Sequence, residues 1–196
     1  MTLHVLSRRL GVLARDVLEA ILLAVVLFFV LQFALQSTVV EGSSMEPNLV
    51  DGEWVLVNKL AYRMGEPQRG DVIVFHAPGE RDKDYIKRVV AVAGEEVVVR
   101  DGRLVVDGLP VAESWLPRQD PTAFGPYVVR PGEVVVFGDN RPNSNDSRLW
   151  PEPGLPDERI VGRVWISVWP PSAWGAVRHD GPGPARGAMR ANAGAP

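Results

Sequence analysis

The chain has 196 residues, 46% of them hydrophobic, enough for one sizeable core plus an apolar appendage and too apolar for a disordered chain. Its 21 basic and 24 acidic side chains leave a formal net charge of -3, without the concentrated basic surface of a nucleic-acid binder. There is no cysteine, which excludes disulfides, thiolate metal sites and cysteine catalysis, and the three histidines, His4, His76 and His179, stand in dissimilar contexts without ligand spacing, so neither a metal nor a cofactor is expected.

Residues 1–16 carry Arg8, Arg9 and Arg15, whereas across residues 17–35 the only strongly polar side chains are Glu19 and Gln32. Nineteen residues in a helix rise roughly 29 Å, close to the hydrocarbon thickness of a bilayer. Arginines precede this run, and residues 36–58 hold acidic groups but no Lys or Arg. The charge asymmetry predicts a cytoplasmic N-terminus (1–16), a transmembrane anchor (17–35) and a chain that continues on the outer face of the cell membrane. A cleaved signal peptide is the rival reading; the run is longer than a usual signal-peptide apolar region and no small-x-small site follows it.

From residue 37 the helical period gives way to short β-branched runs separated by turn residues. Strands are expected at 37–40, 53–59, 71–75, 85–93, 96–100, 104–106, 127–129, 133–137 and 160–169. Asp101-Gly102 and Asp107-Gly108 read as hairpin turns, since glycine supplies the positive φ such turns need. Many short strands without interleaved helices predict a mostly β domain over 36–174, its antiparallel sheets folded into a barrel- or sandwich-like body. Three loops interrupt it, at 61–70, 109–126 and 138–157; the second holds no reactive constellation and reads as a surface excursion. Residues 175–196, rich in Gly, Ala, Pro and Arg, read as a disordered tail.

Chemistry concentrates in three places. The first is Glu41-Gly42-Ser43-Ser44-Met45-Glu46-Pro47-Asn48-Leu49, which puts serine hydroxyls in a loop that proline keeps from continuing as helix or central strand. With no thiol and no credible histidine base, a hydroxyl nucleophile would need lysine. An amine with an ordinary pKa near 10.4 serves as a base at neutral pH only where burial disfavours its charge. Lys87 fits, lying among Tyr85, Ile86, Val89 and Val90, while Lys59 ends a strand and Lys83 lies in a charged run. Strand alternation puts Tyr85, Lys87 and Val89 on one face and Ile86, Arg88 and Val90 on the other. The third place is the loop 138–148, whose short polar side chains can fix one shape: Asp146 with Arg148 or Arg141 as an ion pair, and Ser144 or Ser147 to orient the lysine. A calcium loop using oxygens at 139, 143, 145 and 146 is the alternative there, without the bidentate Glu of an EF-hand.

Together, Ser44-Met45-x-Pro47 after an apolar segment, Arg69-Gly70-Asp71-Val72, Tyr85-Ile86-Lys87-Arg88-Val89, and Gly138-Asp139-Asn140-Arg141 through Ser144, Asp146, Ser147 and Arg148 resemble the bacterial type I signal peptidases over residues 17–168. The resemblance implies a membrane-bound serine endopeptidase acting on the signal peptides of exported preproteins, with Ser44 as nucleophile and Lys87 as general base. It implies Ser144 beside the lysine, held by Asp146 and Arg148, and an oxyanion site made by the Ser44 backbone N–H and one further donor, a backbone group in the Gly42-Ser43 stretch being a candidate. Gly42 stands where some members have a hydroxyl donor. Val40, Met45, Leu49, Tyr85 and Ile86 are implied to line shallow substrate pockets, with Thr38, Val55 and Val74 adding to the deeper one. Two rivals remain: a self-cleaving repressor with the same dyad, which would carry a DNA-binding domain and no anchor, and a membrane-tethered β module without activity.

Overall fold

The computed structural model describes residues 2–63, 65–79, 83–116 and 122–179. Two units emerge, residues 1–36 and residues 37–196. The first is one helix, α1 (Thr2–Ala34), whose segment Arg15–Ala34 spans 20 residues at mean hydropathy 2.6 with none of it buried. It is long and apolar enough to cross a membrane. The helix starts well before the expected residue 17 and stops one residue short of 35. Residues 2–16 hold no proline, so their backbone continues the same ladder, and Arg15 and Glu19 pair one turn apart across its surface.

The second unit is β-rich. Its strands are β1 (Leu35–Val39), β2 (Trp54–Asn58), β3 (Val72–His76), β4 (Asp84–Val92), β5 (Glu96–Arg100), β6 (Arg103–Val106), β7 (Leu109–Pro110), β8 (Phe124–Val128), β9 (Glu133–Phe137), β10 (Leu155–Pro156), β11 (Ile160–Trp169) and β12 (Gly175–Ala176). The larger antiparallel sheet runs β1-β2-β11-β3-β4-β9-β10 with β12 on β11, and the smaller runs β7-β6-β5-β8. Register shifts in the pairings of β11 with β2 and β3, and of β4 with β9, bend the larger sheet so that it curls. The expected mostly β architecture is borne out, and each of the nine expected strands is present within a few residues of its limits. The two-residue strands β7, β10 and β12 are too short to leave a periodic signal.

Strict alternation explains the cores. On β3, Val72 and Val74 enter one apolar cluster with Val40, Met45, Leu49, Val55 and Ile86, whereas Ile73 and Phe75 enter another with Val89, Val134, Val136 and Leu155. On β9, Val135 and Phe137 pack against the smaller sheet through Val97, Val99, Leu104 and Phe124. With both faces covered, β3, β4 and β9 are buried central strands.

Two expectations need correcting. The tail does not begin at 175: Gly175 and Ala176 pair with Ser167 and Ile166, Val177 packs on the first cluster, and His179 Nδ1 accepts the Val72 N–H at 3.1 Å. Edge pairing needs backbone only, so a Gly/Ala composition did not prevent it. Residues 180–196 lie outside the described residues. The loop 109–126 is not a plain excursion either, because Trp115 is buried and its ring stacks 4.9 Å from the Arg88 guanidinium.

Candidate active site

The nucleophile candidate sits on a pinned loop. Gly52 N–H donates to Val40 O and Val40 N–H to Glu53 O, closing residues 40–53 into a compact excursion between β1 and β2. Within it Asn48 and Leu49 N–H both donate to Met45 O at 3.0 Å, making one turn whose apolar members Met45 and Leu49 plunge into the core. Ser44 stands immediately before this anchor, partly exposed.

Lys87 lies in the middle of β4, 4% exposed, with Nζ 2.7 Å from Ser44 Oγ and donating to Ile86 O at 2.9 Å. Its ammonium is also 5.1 Å from the centre of the Tyr85 ring. Burial pulls its pKa from 10.5 down to about 8, and the carboxylates of Asp146 and Asp139 act in the opposite sense without cancelling the shift. A hydroxyl therefore faces an amine that sheds its proton far more readily than a solvated lysine.

The loop after β9 clamps this pair. A Cβ on Gly138 would fall 2.2 Å from Ser144 Oγ and 2.6 Å from Ser44 O, so only glycine lets the loop pass this close to the serine. Asn140 N–H donates to Ser44 O at 2.9 Å and its side-chain amide donates to Ser43 O at 3.0 Å. Fully buried Asp146 accepts the Gly138 N–H and both Nε and Nη2 of Arg148 at 2.9 Å each, and Arg148 also donates to Arg141 O. Arg141 pairs instead with Glu113, reaching across from the 109–126 loop. Both guanidinium groups lie over the Phe137 ring, 5.0 and 5.3 Å from its centre.

Neither Ser144 nor Ser147 hydrogen-bonds Lys87 among the described residues. Ser147 Oγ accepts the Val136 N–H and so serves β9, and the buried Ser144 hydroxyl has no hydrogen-bond partner among the described residues. Ile86 O and Ser44 Oγ hold Lys87 instead. Gly42 adopts φ +82° and its N–H donates to Asp51 at 2.7 Å, so that donor is already engaged. The Ser44 N–H, by contrast, donates to no group among the described residues.

Ser44 and Lys87 open into a cleft of about 620 Å³ whose lining includes Thr38, Val40, Met45, Tyr85 and Ile86. Leu49, Val55 and Val74 are fully buried in the cluster behind it and do not face the cleft. Sequence reasoning missed several members. His76 and Asp84, 2.7 Å apart, form a polar rim, and Asn145 lines the wall. Equally missed was the pairing of Arg88 with Asp139, joined by two charge-assisted hydrogen bonds of 2.8 and 2.7 Å, with Asn48 bridging Asp139 Oδ2 and Trp115 O. Alternation along the strand put Arg88 on the face opposite Lys87; nothing local named its partner. No group of His, Asp and Glu suited to a metal ion occurs among the described residues.

The profile of the family described as "Signal peptidase, peptidase S26" matches residues 14–169, which contain every part of this site. Signal peptidase I of Mycobacterium tuberculosis (strain ATCC 25618 / H37Rv) is 36% identical over 82% of this chain and 74% of its own. Probable signal peptidase I-1 of Synechocystis sp. is 36% identical over 81% of this chain and 82% of its own, and signal peptidase IB of Staphylococcus aureus (strain N315) 36% over 74% and 84%. These similarities make the protein a hydrolase of the peptidase class, which sets aside the inactive β module. More narrowly, the chain belongs to the signal peptidase family, peptidase S26.

Proposed function

We propose that the protein is a single-pass membrane endopeptidase that removes N-terminal signal peptides from exported preproteins by a serine/lysine mechanism. The observation that carries this reading is the 2.7 Å contact between Ser44 Oγ and a lysine whose burial brings its pKa to about 8. With Lys87 neutral, the hydroxyl donates to the amine, and Oγ attacks the carbonyl carbon at the junction as Nζ takes the proton. Lys87 then returns that proton to the departing amine. The resulting acyl-enzyme is hydrolysed by a water that Lys87 deprotonates in turn, which restores Ser44. Negative charge on the carbonyl oxygen is met by the unengaged Ser44 N–H, worth most in a site that excludes water.

The cleft walls support a substrate bound as an extended strand with small side chains directed at Val40, Met45, Tyr85 and Ile86. The family and its relatives carry the substrate class. Anchoring by α1 in the cell membrane, N-terminus in the cytoplasm and the β unit on the outer face, rests on Arg8, Arg9 and Arg15 before the apolar segment and the lack of Lys or Arg just after it. Purified protein in lipid, given a preprotein with Ala-x-Ala before its junction, is expected to cut it. Ser44→Ala and Lys87→Ala should each lower the rate by about a thousandfold or more. Variants that cut as fast as the parent would overturn the assignment.

A further inference from the structure

With the Gly42 N–H engaged by Asp51 and no hydroxyl at that position, the burden of meeting the oxyanion falls on the Ser44 N–H. A trans peptide is planar, so the direction of that N–H is set by the carbonyl at the other end of the same peptide unit, Ser43 C=O. Two donors hold this carbonyl: the Glu46 N–H at 3.1 Å and Asn140 Nδ2 at 3.0 Å. The Glu46 contact lies within the same turn and moves with it. Asn140 belongs to another part of the chain, three residues beyond Phe137, which pairs across the sheet with Arg88, the neighbour of Lys87. Of these two donors, Asn140 is the one that ties the peptide plane to the strand that carries the base.

The orientation of its amide is fixed by chemistry. Ser43 O is acceptor-only, so the facing atom must be nitrogen, and Oδ1 on the other side accepts the Asn143 amide at 3.3 Å. Its backbone N–H holds Ser44 O at the same time, so both ends of Ser44 are fixed by one residue. A hydrogen bond to one end of a peptide also polarises it, making the N–H at the other end a better donor.

From this geometry we infer that Asn140 is a positioning residue for the oxyanion site, aiming and polarising the Ser43–Ser44 peptide so that the Ser44 N–H meets the developing charge. The inference rests on Ser44 being the nucleophile. It acts through another group and touches no substrate, so its loss should appear in the transition state and not in binding.

Saturation kinetics of the full chain in lipid with an Ala-x-Ala preprotein test it. Deleting an oxyanion donor costs about 10²–10³ in kcat; a donor that remains but loses its aim should cost less. Asn140→Ala is expected to lower kcat about 10- to 100-fold with KM within threefold and the pH limb of Lys87 unmoved. Asn140→Asp keeps the size of the side chain, and so reports even if the truncated variant folds poorly; it places an oxygen against the Ser43 carbonyl and should be slower still on the alkaline plateau. An Asn140→Asp variant faster than Asn140→Ala, a kcat within twofold of the parent, or a loss confined to KM would overturn the inference. Ser44→Ala run alongside separates the two readings: residual full activity there sinks the nucleophile assignment, whereas an inactive Ser44→Ala with a normal Asn140→Ala sinks only this one.

Discussion

Lys87 and Arg88 are neighbours on one strand, both cations, 4% and 1% exposed, yet they face opposite sides of the sheet and meet opposite treatment. Arg88 finds a carboxylate: Asp139 accepts two of its N–H groups, while Gly70 O and Arg178 O accept from Nη1. Lys87 finds a hydroxyl and a carbonyl, with Asp146 and Asp139 near enough to favour its charge but not in contact. Equal burial thus yields a permanently charged structural anchor on one face and a removable proton on the other. What separates them is the first partner, since a buried charge survives only where it is paired and hydrogen-bonded.

The contrast can be broken from the arginine side with the largest effect. Asp139→Ala strands the Arg88 guanidinium in the core and also removes the acceptor of Asn48, so unfolding of the full chain in detergent should show a loss of about 3–5 kcal/mol. An effect below about 1 kcal/mol would mean that water reaches Arg88.

Removing the lysine should do the reverse. Its folded pKa of about 8 lies below the unfolded value of 10.5, so the native state releases the proton first. Below pH 8 the lysine is charged in both states and its desolvation is a full cost; between pH 8 and 10.5 that cost fades. Lys87→Met should accordingly be more stable than the parent by up to about 3 kcal/mol at pH 7, less what its two hydrogen bonds contributed, with the difference closing toward pH 10.5. A destabilised, inactive Lys87→Met would show that the lysine serves the fold.

Much of this contrast was legible in the sequence. Period-2 alternation over residues 85–93 separated Lys87 from Arg88 and flanked the lysine with apolar residues, which is what burial of a strand position looks like in one dimension. The positions of the strands along the chain followed from turn residues and β-branched runs. The long-range partners were not legible. Glu113 and Trp115 sit in a loop without periodicity, and their contacts with Arg141 and Arg88 arise only once the loop folds back onto β4 and the loop after β9. Ser144 and Ser147 are alike as residue types, and only the register after β9 sends one to the Val136 backbone and buries the other beside Gly138. Residues 175–179 were missed because backbone pairing with β11 leaves no mark on a Gly/Ala segment.

The most direct test is the pH dependence of kcat/KM for the full chain in lipid. With Lys87 as the base, the rate should rise with a single limb near pH 8, where burial has placed its pKa, and Ser44→Ala should abolish the profile altogether. A limb near 6.5, the ordinary range of a histidine base, would contradict the lysine assignment.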